Sequence, residues 1–155
     1  MNEQPTNMRG LFGERMHQTQ QILYTSEKLI QDFIPALYKH FEKENVHITM
    51  FVTQWMLTIF TSSFPFDLVV RVWDCFVAEG YKIVYRVMLA LLKISAPDLI
   101  KLPFEEILAY LYRLPTKIDG HQVMDTAFRT KLKRKHIAKY EQEWTKQFDS
   151  RQNKK

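Results

Sequence analysis

Between Ile48 and Ser95 the chain carries two apolar runs. They are separated by Phe64-Pro65-Phe66-Asp67-Leu68-Val69-Val70-Arg71-Val72-Trp73-Asp74-Cys75-Phe76 and closed by Glu79-Gly80. No other stretch restricts the fold as strongly. On a helix over 66–79, at about 100° per residue, Phe66, Val69, Val70, Trp73, Phe76 and Val77 share one broad face. Leu68, Val72 and Cys75 cover much of the rest, leaving Asp67, Arg71, Asp74 and Ala78 as a narrow polar stripe. A helix apolar nearly all round is expected at the centre of a helical domain, with Trp73 in the core. Arg71 follows Asp67 by four residues and precedes Asp74 by three, so a structural ion pair is expected within the stripe.

The flanks repeat the pattern. Thr49 is expected to cap a helix through Phe60, built on Met50, Phe51, Trp55, Met56, Leu57, Ile59 and Phe60. Gly80 is a stop signal, and the helix expected from Tyr81 to Ile94 is apolar except for Lys82, Arg86 and Lys93. Those three fall within about 40° of one another. They form a basic ribbon, read as a solvated stripe or a contact for an acidic partner. Three such helices in succession indicate a compact all-α domain.

A length of 155 residues fits one domain with a substantial core. Cys75 is the only cysteine, which excludes an intramolecular disulfide and favours a reducing, cytoplasmic setting. It projects inward, which argues against a nucleophile. The five histidines show no metal-ligand spacing, and His40 and His47 are expected at the surface. No metal or cofactor is expected. Ile48 to Phe66 is free of charge, but its four Thr, two Ser, Gln54 and Pro65 argue against a membrane span. Met1 to Asn7 is polar, unlike a signal peptide.

The net charge of +5 is unevenly placed. Residues 129–155 hold 10 Lys/Arg and 3 Asp/Glu, a balance of +7, so the remainder sums to 5 − 7 = −2. The basic run Arg129, Lys131, Lys133, Arg134 and Lys135 suits phosphate-bearing partners or plain solvation. Nothing there supplies base-specific readout, so nucleic acid is not an expected partner.

Taken in order, residues 1–7 form a flexible entry, and a helix is expected from about Thr19. Pro35 starts a new helix that ends near Asn45. Ser95-Ala96-Pro97-Asp98 and Leu102-Pro103-Phe104-Glu105-Glu106 both read as helix starts. The second of these helices is expected to end before Pro115. A long final helix is expected from Asp119 or Gly120 to about Phe148. On it, Met124, Phe128 and Leu132 share a face with Val123 and Ala127. Ile137, Tyr140, Trp144 and Phe148 share another about 200° away. The first face is expected to dock on the domain and the second to meet another lobe or chain. The alternative is a bend near Arg134 that returns both faces to the same domain.

Several strings resemble the second half of a TBC domain, the GTPase-activating module for Rab proteins. They are Trp55-Met56-Leu57-Thr58-Ile59-Phe60, Phe64-Pro65, Arg71-Val72-Trp73-Asp74, Glu79-Gly80, Arg86-Val87 and Leu89-Ala90-Leu91-Leu92. Met8-Arg9-Gly10-Leu11, Tyr24 and the segment from Ile34 to Phe41 are similar to the approach to that lobe. The resemblance implies a C-terminal TBC lobe over residues 8–115 followed by a basic helical extension over 116–155. Its signature residues are Trp55, Phe60, Pro65, Arg71, Trp73, Asp74, Glu79 and Gly80.

The family's catalytic arginine, in IxxDxxR, and glutamine, in YxQ, both belong to the first half of the domain. This chain has no IxxDxxR, and Tyr140-Glu141-Gln142 matches YxQ only formally, far past the lobe. The resemblance therefore implies no catalytic residue here. It implies a supporting lobe whose partners are a Rab-family GTPase and the N-terminal TBC lobe, peripheral to endomembranes. A non-catalytic helical scaffold with the same fold is the alternative. Lys82, Arg86, Lys93, Tyr140, Trp144 and Phe148 are the candidate partner contacts.

Overall fold

The computed structural model describes the backbone of residues 4–57 and 64–153 and the side chains of 16–56 and 64–151. Among the described residues the chain is all-α. Its helices are α1 (Gln4–Phe33), α2 (Pro35–Lys43), α3 (Thr49–Leu57), α4 (Phe66–Glu79), α5 (Tyr81–Leu99), α6 (Phe104–Lys117), α7 (Gly120–Arg129) and α8 (Arg134–Asn153). The expected helix end at Phe60, and Phe60 itself, lie outside the described residues.

The central helix is α5, not α4. It buries Ile83, Val84, Tyr85, the unbroken run Val87 to Leu92, Ser95 and Leu99, and it touches α1, α3, α4 and α7. Ser95-Ala96-Pro97-Asp98 starts no new helix. Leu92, Ser95 and Leu99 continue the buried stripe at helical spacing, and Pro97 sits on the exposed side. The backbone bond that Pro97 removes thus lies toward water, which can replace it. Pro115 behaves alike: α6 runs on to Lys117, with Ile107, Leu111 and Leu114 buried along one side.

α1 begins at Gln4, well before Thr19, with Pro5 in the first turn where its missing N–H breaks no helical bond. Pro35 does start α2. That helix ends in a Schellman motif: Val46 N–H donates to the Phe41 carbonyl at 2.8 Å and Asn45 N–H to that of Glu42 at 3.2 Å. Asn45 takes φ 58°, a left-handed conformation that asparagine tolerates. Val46 and Phe41 are both buried, completing the motif's apolar contact.

The expected long C-terminal helix is two helices. Asp119 caps α7, its carboxylate accepting from His121 N–H at 3.0 Å. After Arg129 the chain becomes extended at Thr130 and restarts as α8 at Arg134. Val123, Met124, Ala127 and Leu132 are buried, with α7 against α5 and α4. α8 then returns along α1. Two apolar faces 200° apart cannot dock on one body from a straight helix; the break lets both do so, except that Phe128, expected to dock beside Met124 and Leu132, is left 51% exposed.

Candidate interaction surface on the outer face of α4

α4 packs through Leu68 and Val72, one turn apart and fully buried against α5 and α7. Its opposite side is bare. Phe66 is 79% exposed, Val70 39%, Trp73 39% and Val77 86%. These positions, four, three and four residues apart, fall within about 60° of the helix circumference. Four of the six residues expected in the core on the broad face therefore look outward, Val69 and Phe76 staying half-buried against it, and Trp73 is not a core residue. Periodicity measures how much of a helix is apolar. It does not say which of two opposed apolar faces the neighbours will cover.

The outer face is held by an aromatic ladder that runs into the core. Trp73 meets Phe76 edge-on at 5.3 Å, Phe76 meets Tyr81 at 5.5 Å, and Tyr81 lies 6.3 Å from the buried Tyr85. Burial raises the Tyr81 and Tyr85 phenols above the usual range, keeping the ladder neutral. Burial first, then the Glu79 and Asp74 charges, also raise the Cys75 thiol, partly offset by Arg71. That thiol stays protonated and unreactive near neutral pH.

The polar stripe borders this surface. Asp67, Arg71 and Asp74 are all exposed. Arg71 makes no ion pair with either aspartate, so the expected structural pair is corrected: water solvates the three groups separately. Pro65, also exposed, occupies the N-cap position of α4. At the other end Gly80 has φ 67° and ψ −149°, a region open only to glycine.

Glu79 has its partner within the chain. The Arg86 guanidinium lies 3.8 Å from the Glu79 carboxylate and donates to the Leu132 carbonyl at 3.3 Å. Arg86 is thus turned inward, away from any solvated ribbon. Lys93 lies over the Phe33 ring at 6.0 Å, and Lys82 is half-buried. The three basic residues do not act together as a surface.

The second set of candidate contacts also faces inward. Tyr140 and Trp144 are buried against α1, the Tyr140 hydroxyl donating to the Asp32 carboxylate. The His17 ring meets Trp144 at 4.4 Å and Phe148 at 4.6 Å, both edge-on. Tyr24 donates to Glu143 at 3.2 Å. Tyr140, Trp144 and Phe148 are therefore internal packing, and the expected free second face is covered. Tyr140 of the YxQ-like string belongs to this packing, while its Gln142 is exposed.

Trp55 is in the core as expected, edge-on to Phe51 at 5.2 Å and to Phe64 at 5.5 Å. His40 is less superficial than expected, its ring nitrogen 2.7 Å from the Leu102 carbonyl. Two clefts of about 610 Å³ fall outside the sequence expectations. One lies between α1 and α2 beside Tyr24, Glu27, Tyr38 and Glu42. The other lies between α3 and α6 beside Met50, Trp55 and Tyr112. Tyr112 is off the buried face of α6, and that position was the one available hint.

The order of strings around α4 and α5 finds its match in a family model, the Rab-GTPase-TBC domain, over residues 1–100. The chain belongs to this TBC family. It is 34% identical over 145 residues to the mouse "Ecotropic viral integration site 5 protein", covering 92% of this chain and 18% of that protein. It is 28% identical over 140 residues to the Caenorhabditis elegans "Rab GTPase-activating protein eat-17", covering 88% of this chain and 16% of that one. The Chlamydomonas flagellar RabGAP TBC domain is similar in structure, with TM-score 0.63 and 34% identity over 67% of this chain and 37% of that one. The chain thus spans under a fifth of these two relatives and corresponds to part of a TBC domain.

Proposed function

We propose that this chain is the C-terminal lobe of a TBC-type GTPase-activating protein for Rab GTPases. It supports the catalytic lobe, contributes part of the Rab-facing surface and is inactive alone. The outer face of α4 carries this reading. Four large apolar side chains exposed in one line form the kind of patch that marks a contact surface, and they lie on the helix that bears Arg71-Val72-Trp73-Asp74. The second lobe is the proposed cover for that line. Rab as the GTPase is supported by the name of the worm relative, a Rab GTPase-activating protein.

Rab hydrolysis in this family needs an arginine to offset charge on the transferring phosphoryl group and a glutamine to orient water. The arginine motif is absent from this sequence, and Tyr140-Glu141-Gln142, the formal YxQ match, is tied to α1 through Tyr140. The chain's own residues supply a rigid apolar platform. No helix among the described residues is long and apolar enough to cross a membrane. A cytoplasmic position at the periphery of endomembranes fits the proposed role.

Calorimetric titration with the N-terminal half of a relative's TBC domain tests the reading. Binding is expected, and Val70→Asp/Trp73→Asp should weaken it at least tenfold while Tyr112→Asp leaves it unchanged. Binding indifferent to the α4 pair would overturn the assignment of this face. Binding without recovery of Rab GTP hydrolysis would favour the scaffold reading.

A further inference from the structure

The connection between α7 and α8 forms a corner whose charge and shape have no role in the lobe described above. From Thr126 to Tyr140 the sequence holds six Lys/Arg (Arg129, Lys131, Lys133, Arg134, Lys135 and Lys139) and no Asp or Glu. Without them the chain sums to 5 − 6 = −1, so its whole positive excess resides here. All six are exposed. Arg129 is partly neutralised by Asp125 at 3.1 Å, whereas Lys131, Lys133, Arg134 and Lys135 have no ion pair among the described residues. The start of α8 adds the positive end of a helix dipole at the same place.

The corner is ordered. Thr130 and Leu132 are buried while Lys131 and Lys133 are exposed, the alternation of an extended segment. Thr130 Oγ1 donates to the Thr126 carbonyl at 2.9 Å, and Arg86 donates to that of Leu132 at 3.3 Å. Lys133 N–H donates to His136 Nδ1 at 3.2 Å, capping α8. The lysines on the link are therefore projected from a fixed base. Beside them Phe128 is 51% exposed.

The geometry points to the α7–α8 corner as a docking site for an anionic membrane surface. The cations face the headgroups and Phe128 enters the interface. Clustered cations with an adjacent exposed aromatic match the two attractions a charged bilayer offers, counter-charge and a shallow apolar layer. A basic track for single-stranded nucleic acid sets several aromatics in line for successive bases to stack on, whereas between residues 126 and 140 Phe128 is the one exposed aromatic. The site is independent of the GTPase reading and stands whether or not that reading holds.

Cosedimentation of the full chain with phosphatidylcholine vesicles, with and without 30% phosphatidylserine, tests it. The chain should bind only the anionic vesicles and be released by salt. Each cation near such a surface is worth about fivefold in binding. Lys131→Gln/Lys133→Gln/Arg134→Gln/Lys135→Gln should therefore lose more than about a hundredfold. Phe128→Ser should lose several-fold with all charges kept. Lys39→Gln/Lys43→Gln/Lys101→Gln/Lys117→Gln removes the same charge from exposed sites elsewhere and should change little. All three variants alter exposed side chains, and unchanged melting would show that folding is intact. Equal binding to neutral vesicles overturns the proposal, as does equal loss in the distant variant. Tighter binding to a 20-nucleotide RNA, indifferent to Phe128, would reassign the corner to nucleic acid.

Discussion

Arg86 stands 3.8 Å from Glu79 while donating to the Leu132 carbonyl at 3.3 Å, so one side chain joins the end of α4, the middle of α5 and the link before α8. Its Nε and the Glu79 Oε2 are buried with no other hydrogen-bond partner among the described residues. Arg86→Ala leaves the Glu79 carboxylate without its counter-charge and a buried carbonyl without a donor. A loss of about 1–3 kcal/mol is expected on urea unfolding. Arg86→Lys should recover only part of it, because a single ammonium cannot serve both sites as a planar fork does.

Trp55 and Trp73 should differ in their contribution to stability. Trp55→Ala empties a core site and should cost about 3–5 kcal/mol. Trp73→Ala removes a side chain 39% exposed and should cost about 2–3 kcal/mol, in proportion to its smaller buried area. Urea midpoints of both variants check this; a larger loss at Trp73 would place α4 in the core after all.

Much of the fold is legible in the residues. Pro35, Asp119, Gly80 and the acidic first turn of α6 mark boundaries because each acts through local backbone chemistry. Pro97 and Pro115 mislead for the complementary reason: buried neighbours at helical spacing carry the helix past a proline whose lost bond is small beside the packing. The reversed orientation of α4 and the inward turn of Arg86 depend on what other helices cover, which local sequence does not encode. The break at 130–133 is intermediate. Two faces 200° apart announce a conflict, but only the position of α1 resolves it.

Truncation after Lys135 should destabilise the chain itself. It removes Ile137, Tyr140 and Trp144, all buried against the remaining fold, each worth about 1.5–3 kcal/mol. Their sum rivals the whole stability of an ordinary domain, about 5–15 kcal/mol. Thermal melting should fall far or lose cooperativity. An unchanged melting temperature would show that α8 does not belong to this core.

Glu141 gives a pH signature. Burial raises its carboxyl above the ordinary value of 4.5, so the folded chain holds that proton more tightly than the unfolded one. The favourable contribution is complete below the unfolded pKa and is lost as pH rises through the folded pKa. At neutral pH the half-buried charge is a net burden. Glu141→Gln should therefore raise the melting temperature at pH 7 and make little difference below about pH 4. Melting curves at both pH values decide the matter; a gain at low pH alone would reverse the sign.

Single-turnover GTP hydrolysis across a panel of Rab proteins tests the proposed role most directly. An arginine finger alone is worth about 10³ to 10⁵ in rate, and this sequence carries no IxxDxxR motif. The chain by itself should leave every Rab at its intrinsic rate. Adding a catalytic N-terminal half should accelerate hydrolysis in a manner that Val70→Asp/Trp73→Asp abolishes. Acceleration of any Rab by about a hundredfold with this chain alone would contradict the assignment.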